Sequence, residues 1–133
     1  MSSTITRDQA SNVSWDAIVI GAGIAGCLAA AGLARLGRRV LLVEKSKLPR
    51  DKVCGACLNL DAIAGLRAAG VWEDIVRLRG HDLGGYCVRS PGNREMKLSL
   101  PGGHAVSRYA MDRVLARAAI DAGADYLDQT VLN

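Results

Sequence analysis

Gly21, Gly23 and Gly26 stand in the run Gly-Ala-Gly-Ile-Ala-Gly, and Glu44 closes the next apolar run. Glycines at this spacing act through what they lack. The first permits a tight turn, the second lets the main chain approach a bulky anion, and the third lets a helix pack closely on a strand. The residues after this run carry a helical pattern, and the unpaired N–H groups and positive dipole end of the helix that begins there favour phosphate. A carboxylate at Glu44 can accept hydrogen bonds from both ribose hydroxyls of an adenosine. It would also repel a 2′-phosphate, so the pattern suits FAD or NAD rather than NADP. A glycine-rich turn can also serve packing alone. Here strand, turn, helix, second strand and terminal acid follow one another in the order that dinucleotide binding requires.

The elements that must position these residues can be read from the flanking pattern. Ala17-Ile18-Val19-Ile20 is short and β-branched enough for a buried parallel strand. A helical apolar pattern then runs through Leu36, Gly37 ends it, and residues 39–43 give a second buried strand. Lys45 to Leu58 is a basic loop leaving the C-terminal edge of the sheet, where ligands of open α/β sheets bind. A pyrophosphate needs cationic partners beyond a helix dipole, and guanidinium suits phosphate oxygens through paired donors. Asn59 starts a helical stretch broken at Gly70. Residues 84–89 and 95–100 read as two strands around the turn Ser90-Pro91-Gly92-Asn93. Residues 109–122 form a helix with Met111, Val114, Leu115, Ala118 and Ala119 on its apolar side. Gly123 suits its C′ position, and residues 124–132 return as a strand. The expected fold is α/β and Rossmann-like, with an antiparallel β-hairpin inserted into a parallel unit.

With 133 residues, half of them hydrophobic, the chain is long enough for one domain with a real core. A net charge of only +4, with basic residues scattered, does not indicate a nucleic-acid surface. No apolar run approaches the ~20 residues needed to span a bilayer. Residues 1–13 lack the apolar core of a signal peptide and read as a flexible polar tail before a domain at 14–133. A cytoplasmic protein is therefore expected, with Cys27, Cys54, Cys57 and Cys87 reduced. Cys54 and Cys57 form a CxxC, which serves either a redox pair or half of a zinc site. No second ligand pair at regular spacing accompanies it, so no metal site is expected. His81 and His104 read as surface histidines.

The fingerprint at 15–44, the loop Pro49-Arg50-Asp51-Lys52-Val53-Cys54-Gly55 and the segment Ser107-Arg108-Tyr109-Ala110-Met111-Asp112-Arg113-Val114-Leu115 resemble FAD-dependent oxidoreductases of the geranylgeranyl reductase type. These belong to the wider p-hydroxybenzoate hydroxylase-like class, with its aromatic monooxygenases and flavin-dependent halogenases. The resemblance runs over nearly all of the chain from Trp15. It implies that Gly21, Gly23, Ile24, Ala25, Gly26, Glu44 and Lys45 surround the AMP half of FAD. Arg50, Lys52, Cys54 and Gly55 would run along the cofactor towards the flavin. Arg108 would lie near the pyrophosphate or ribityl chain, and Val131, in the returning strand, near adenine through its backbone. The implied activity is flavin-dependent reduction of a lipid-like or aromatic small molecule, membrane lipids included, with NAD(P)H as candidate electron donor. Aromatic monooxygenase, halogenase, non-catalytic NAD/FAD-binding module and thiol-redox protein are the alternatives. Such enzymes are longer and carry a late Gly-Asp segment that is absent here, and no residue can be named catalytic. The chain is therefore expected to be a truncated N-terminal portion, inactive by itself.

Overall fold

The computed structural model describes residues 1–54 and 57–131. Its elements in chain order are α1 (Arg7–Ser11), β1 (Ala17–Ile20), α2 (Ile24–Arg35), β2 (Val40–Val43), β3 (Cys57–Leu58), α3 (Leu60–Ala68), α4 (Trp72–Val76), β4 (His81–Asp82), β5 (Gly85–Arg89), β6 (Glu95–Ser99), β7 (His104–Ala105), α5 (Arg108–Asp121) and β8 (Asp125–Leu127). Length alone suggests one domain, whereas the contacts divide the chain into two compact units. Residues 1–53 and 108–133 make one, and residues 54–107 the other.

In the first unit β1, β2 and β8 form a parallel sheet in that order, with Ala17 opposite Val40 and Leu41 opposite Asp125. All four residues of central β2 are buried, as a strand covered on both faces requires. Strand β1 alternates instead, and Ile18 and Ile20 remain more than half exposed. Helix α2 buries only Cys27, Ala30 and Ala31, small side chains that let it approach its neighbours closely. Helix α5 buries Met111, Leu115, Ala116 and Ala119. It ends as the sequence predicts: Gly123 takes φ +103, and the Ala124 N–H reaches back to the Ala119 carbonyl at 3.0 Å.

Two expectations differ from the structure here. Residues 1–13, read as a loose tail, contain helix α1. Thr6 and Gln9 close a capping box at its start, and Ile5 and Trp15 pack on a buried cluster of Ala10, Leu41, Val43 and Leu127. The Thr4 N–H also bonds the Tyr126 carbonyl at 2.8 Å, so β8 anchors the segment. The returning strand, read as residues 124–132, is only Asp125–Leu127. Gln129 at φ +52 turns the chain, and the Thr130 N–H then bonds the Glu44 carbonyl at 3.1 Å. Val131 is therefore not in a strand.

The second unit holds the helical excursion and the hairpin. Asn59 caps α3 through the Ala62 N–H at 2.8 Å, and Gly70 at φ +72 separates α3 from α4. The two-residue strands β3, β7 and β4 form a small antiparallel sheet, and β5 pairs with β6 from Gly85–Ser99 to Arg89–Glu95. Asn93 at φ +57 supplies the turn between them. His104, read as a surface histidine, is 5 % exposed, packs edge-on against Trp72 and contacts Asp82 through Nδ1 at 2.9 Å.

Candidate functional site

The site is built at the C-terminal ends of β1 and β2. Gly21 leaves β1 at φ +99, a conformation that side chains rarely adopt, and its N–H bonds the Val43 carbonyl at 2.7 Å. A Cβ on Gly26 would collide with the Gly21 carbonyl oxygen. The third glycine is thus required by close packing of helix on turn. Gly23 is different. Its backbone is extended, and an added Cβ would lie 3.7 Å from Arg108 Nη2 and 3.9 Å from Lys52 Nζ, which is ordinary contact. Nothing among the described residues demands glycine there, but the space above it is bounded by two cations. Gly23 is also the N-cap of α2 and supplies no side-chain cap. The first-turn N–H groups of Ile24, Ala25 and Gly26 therefore lack intrahelical acceptors and carry the positive helix end.

A cleft of about 250 Å³ opens beside this turn, lined in part by Gly21, Gly23, Glu44, Lys45, Arg50, Lys52 and Val131. These residues from three separate stretches of the sequence are brought to one place. Arg108 reaches the same turn from the start of α5. Cys54 belongs to the second unit, and Gly55 lies outside the described residues.

Glu44 is only 3 % exposed and carries more internal bonds than its position at a strand end suggests. Its Oε2 accepts from the Ala22 N–H at 2.8 Å and Arg50 Nη2 at 3.2 Å. Its Oε1 accepts from the Ser46 N–H at 3.1 Å and, more weakly, Arg50 Nε at 3.5 Å. Burial opposes its ionisation, yet the Arg50 guanidinium and the two main-chain N–H groups outweigh burial and hold the carboxyl below its usual range. Glu44 thus braces the glycine turn as well as facing the cleft.

Sequence reasoning gave Asp112 no role, although it stands in the quoted segment. Asp112 is fully buried. It accepts Arg108 Nε at 2.7 Å and Arg108 Nη2 at 3.0 Å, a bidentate pair, and also Arg50 Nη1 at 3.0 Å. Glu44, Arg50, Asp112 and Arg108 therefore form one chain of alternating charge. The four-residue spacing of Arg108 and Asp112 on a predicted helix was the available signal. Beside this network Cys27 is fully buried, and its thiol is pushed up to about 12 by burial first and then by Asp112 and Glu44. It remains a protonated packing residue. Among the described residues no group of three or more His, Cys, Asp or Glu side chains could hold a metal ion, and no helix is long and apolar enough to cross a membrane.

Comparison with known proteins agrees with this geometry. The chain is 37 % identical over 123 residues to a menaquinone reductase of Mycobacterium tuberculosis, covering 86 % of this chain and 29 % of that protein. Among solved structures, a geranylgeranyl bacteriochlorophyll reductase-like protein of Thermoplasma acidophilum superposes with a TM-score of 0.72 at 26 % identity, covering 86 % of this chain and 30 % of that one. The flavin-dependent brominase Bmp2 gives a TM-score of 0.72 at 29 % identity, with coverages of 84 % and 28 %. The chain thus spans less than a third of the length of each. A family model described as an FAD binding domain matches residues 14–133. That match covers nearly the whole chain, and this chain belongs to the FAD-binding domain family of FAD-dependent oxidoreductases.

Proposed function

We propose that the cleft beside the glycine turn takes the AMP half and pyrophosphate of FAD, and that the chain is the cofactor-holding region of a reductase of the geranylgeranyl reductase type. The observation that carries this is the space over Gly23, open to a ligand and bounded by Arg108 Nη2 and Lys52 Nζ. FAD, when bound, supplies the redox chemistry, and the protein supplies binding, orientation and electrostatics. The first turn of α2 and the two cations would meet the pyrophosphate, Glu44 the adenosine ribose, and Val131 the adenine edge. Arg50 and Lys52 would continue the cationic lining towards the flavin. Because Glu44 already holds Arg50, ribose hydroxyls would share its oxygens with that guanidinium rather than find them bare. The substrate class is a lipid-like or aromatic small molecule, with NAD(P)H as donor. A menaquinone reductase and a geranylgeranyl bacteriochlorophyll reductase-like protein among the similar proteins favour this reading.

A second reading, a flavin-dependent halogenase or monooxygenase, is favoured by the likeness to the brominase. Both kinds of protein superpose on this chain with the same TM-score of 0.72, so the fold of this region does not separate them. Turnover of NAD(P)H with a quinone or polyprenyl acceptor, against halide-dependent product formation, does.

FAD titration of the 133-residue chain, followed by quenching of flavin fluorescence, tests the site itself. Gly23→Val should abolish saturable quenching and leave the helical circular dichroism unchanged, since the added side chain fills ligand space rather than protein. Undiminished affinity in this variant would overturn the placement of the pyrophosphate. By the same reading, the chain alone should oxidise NAD(P)H no faster than free FAD, because loose positioning of the reacting atom forfeits most of the rate.

A further inference from the structure

The dinucleotide fingerprint does not include Asp112, yet the geometry turns on it. An arginine beside a phosphate site is ordinarily a long flexible side chain whose charge is not fixed in space. Here one carboxylate, fully buried and four residues along the same helix, grips Arg108 through both Nε and Nη2. That side-on fork fixes the plane of the guanidinium as well as its position. The same Oδ2 receives Nη1 of Arg50, so two like charges from different stretches of the chain are held together by one acid. Arg50 in turn is shared with Glu44, the acid that braces the glycine turn.

We infer that Asp112 is a positioning residue: it fixes Arg108 Nη2 at the edge of the space above Gly23 and so makes that space selective for a diphosphate. The inference rests on the reading of this space as the pyrophosphate site. Without the carboxylate, the two guanidinium groups would repel one another, Arg108 would lose its fixed plane, and the space would lose one of its two defined cationic walls. The network Glu44–Arg50–Asp112–Arg108 is neutral in sum, and Lys52 has no carboxylate partner among the described residues. The attraction for an anion therefore rests on the directed donors of Arg108, on Lys52 and on the α2 terminus, not on a diffuse excess of charge.

Adenosine and ADP differ by the group in question, so the test compares them as ligands of the 133-residue chain, parent and Asp112→Asn, by NMR titration. The expected result is an ADP affinity reduced by about tenfold or more, the scale of one charge-assisted hydrogen bond. Adenosine affinity should stay within about twofold by the same conversion. The Arg108 Nε–H resonance, shifted by ADP in the parent, should no longer respond. Equal losses for both ligands would mean that Asp112 only supports the fold, and unchanged ADP affinity would mean that Arg108 needs no such support; either overturns the inference. Should Asp112→Asn not fold, Asp112→Glu keeps the charge while displacing the carboxylate by one methylene. A selective loss of ADP affinity there supports the assignment, and its absence overturns it. A parent chain that binds ADP no better than adenosine would instead overturn the pyrophosphate reading, and the role of Asp112 with it.

Discussion

The two units use similar lengths of strand to opposite ends. In the first, β2 has exposures of 1 %, 5 %, 0 % and 1 % along Val40–Val43. In the second, the β5–β6 hairpin presents Tyr86, Val88, Met96 and Leu98 on one face, each about half exposed at 49–52 %. Both oxygens of buried Asp112 are bonded to guanidinium groups. Each unit also holds one described buried polar atom without a hydrogen-bond partner, Tyr126 Oη in the first and His104 Nε2 in the second, and Asp82 beside His104 Nδ1 is almost wholly in solvent. Local stability follows buried apolar contact and satisfied polar groups, and a two-stranded hairpin alone is marginal in water. The candidate site stands at the end of the buried strand β2, not on the half-exposed hairpin, and a site that must hold donors at fixed positions requires such support.

Substitutions sharpen that contrast. The largest effect is expected at Asp112. Asp112→Ala removes the acid shared by two little-exposed guanidinium groups, Arg108 at 11 % and Arg50 at 17 %, and leaves Arg50 with Glu44. Loss of one partner from such a buried group costs about 3–5 kcal/mol, read as a fall in the urea midpoint at constant slope. An unshifted midpoint would place the network on the periphery of the unit's stability.

Glu44 should show a smaller and pH-dependent effect. Its native carboxyl titrates below the unfolded value near ~4.3, so its contribution is whole above that pH. The contribution is lost as the pH falls through the lowered native value. Glu44→Gln should therefore cost about 1.5–3 kcal/mol at neutral pH, the scale for hydrogen bonds to a charged group. Parent and variant should converge as the pH falls through that lowered native value. A gap that persists undiminished in acid would show that shape, not charge, makes Glu44 matter. The smallest effect is expected in the hairpin. Leu98→Thr at a half-exposed position should move the midpoint by no more than the ~0.5 kcal/mol usual for surface sites. A core-sized loss there would show that the hairpin is as firmly packed as β2.

Local chemistry made much of this chain legible before its structure. The residue types from Ala17 to Val43 determine a strand, a glycine turn, a helix and a second strand, because apolar period and glycine geometry act within a few residues. The same holds for the α5 terminus at Gly123, the α3 cap at Asn59 and the hairpin around Asn93. Even α1 had its local sign, since Thr6 and Gln9 stand at capping-box spacing, but so short a helix is not stable by itself. Only its bonds to β8 and the packing of Ile5 and Trp15 decide that it forms. Tertiary structure alone also decided that β8 stops at Leu127 and that Val131 reaches the cleft from a turn. It decided, too, that Glu44 shares Arg50 with Asp112, a residue 62 positions further along the chain from Arg50. Periodicity and turn preference are properties of neighbours in sequence. A buried ion network is a property of neighbours in space, and its charges are affordable only when the fold delivers every partner at once.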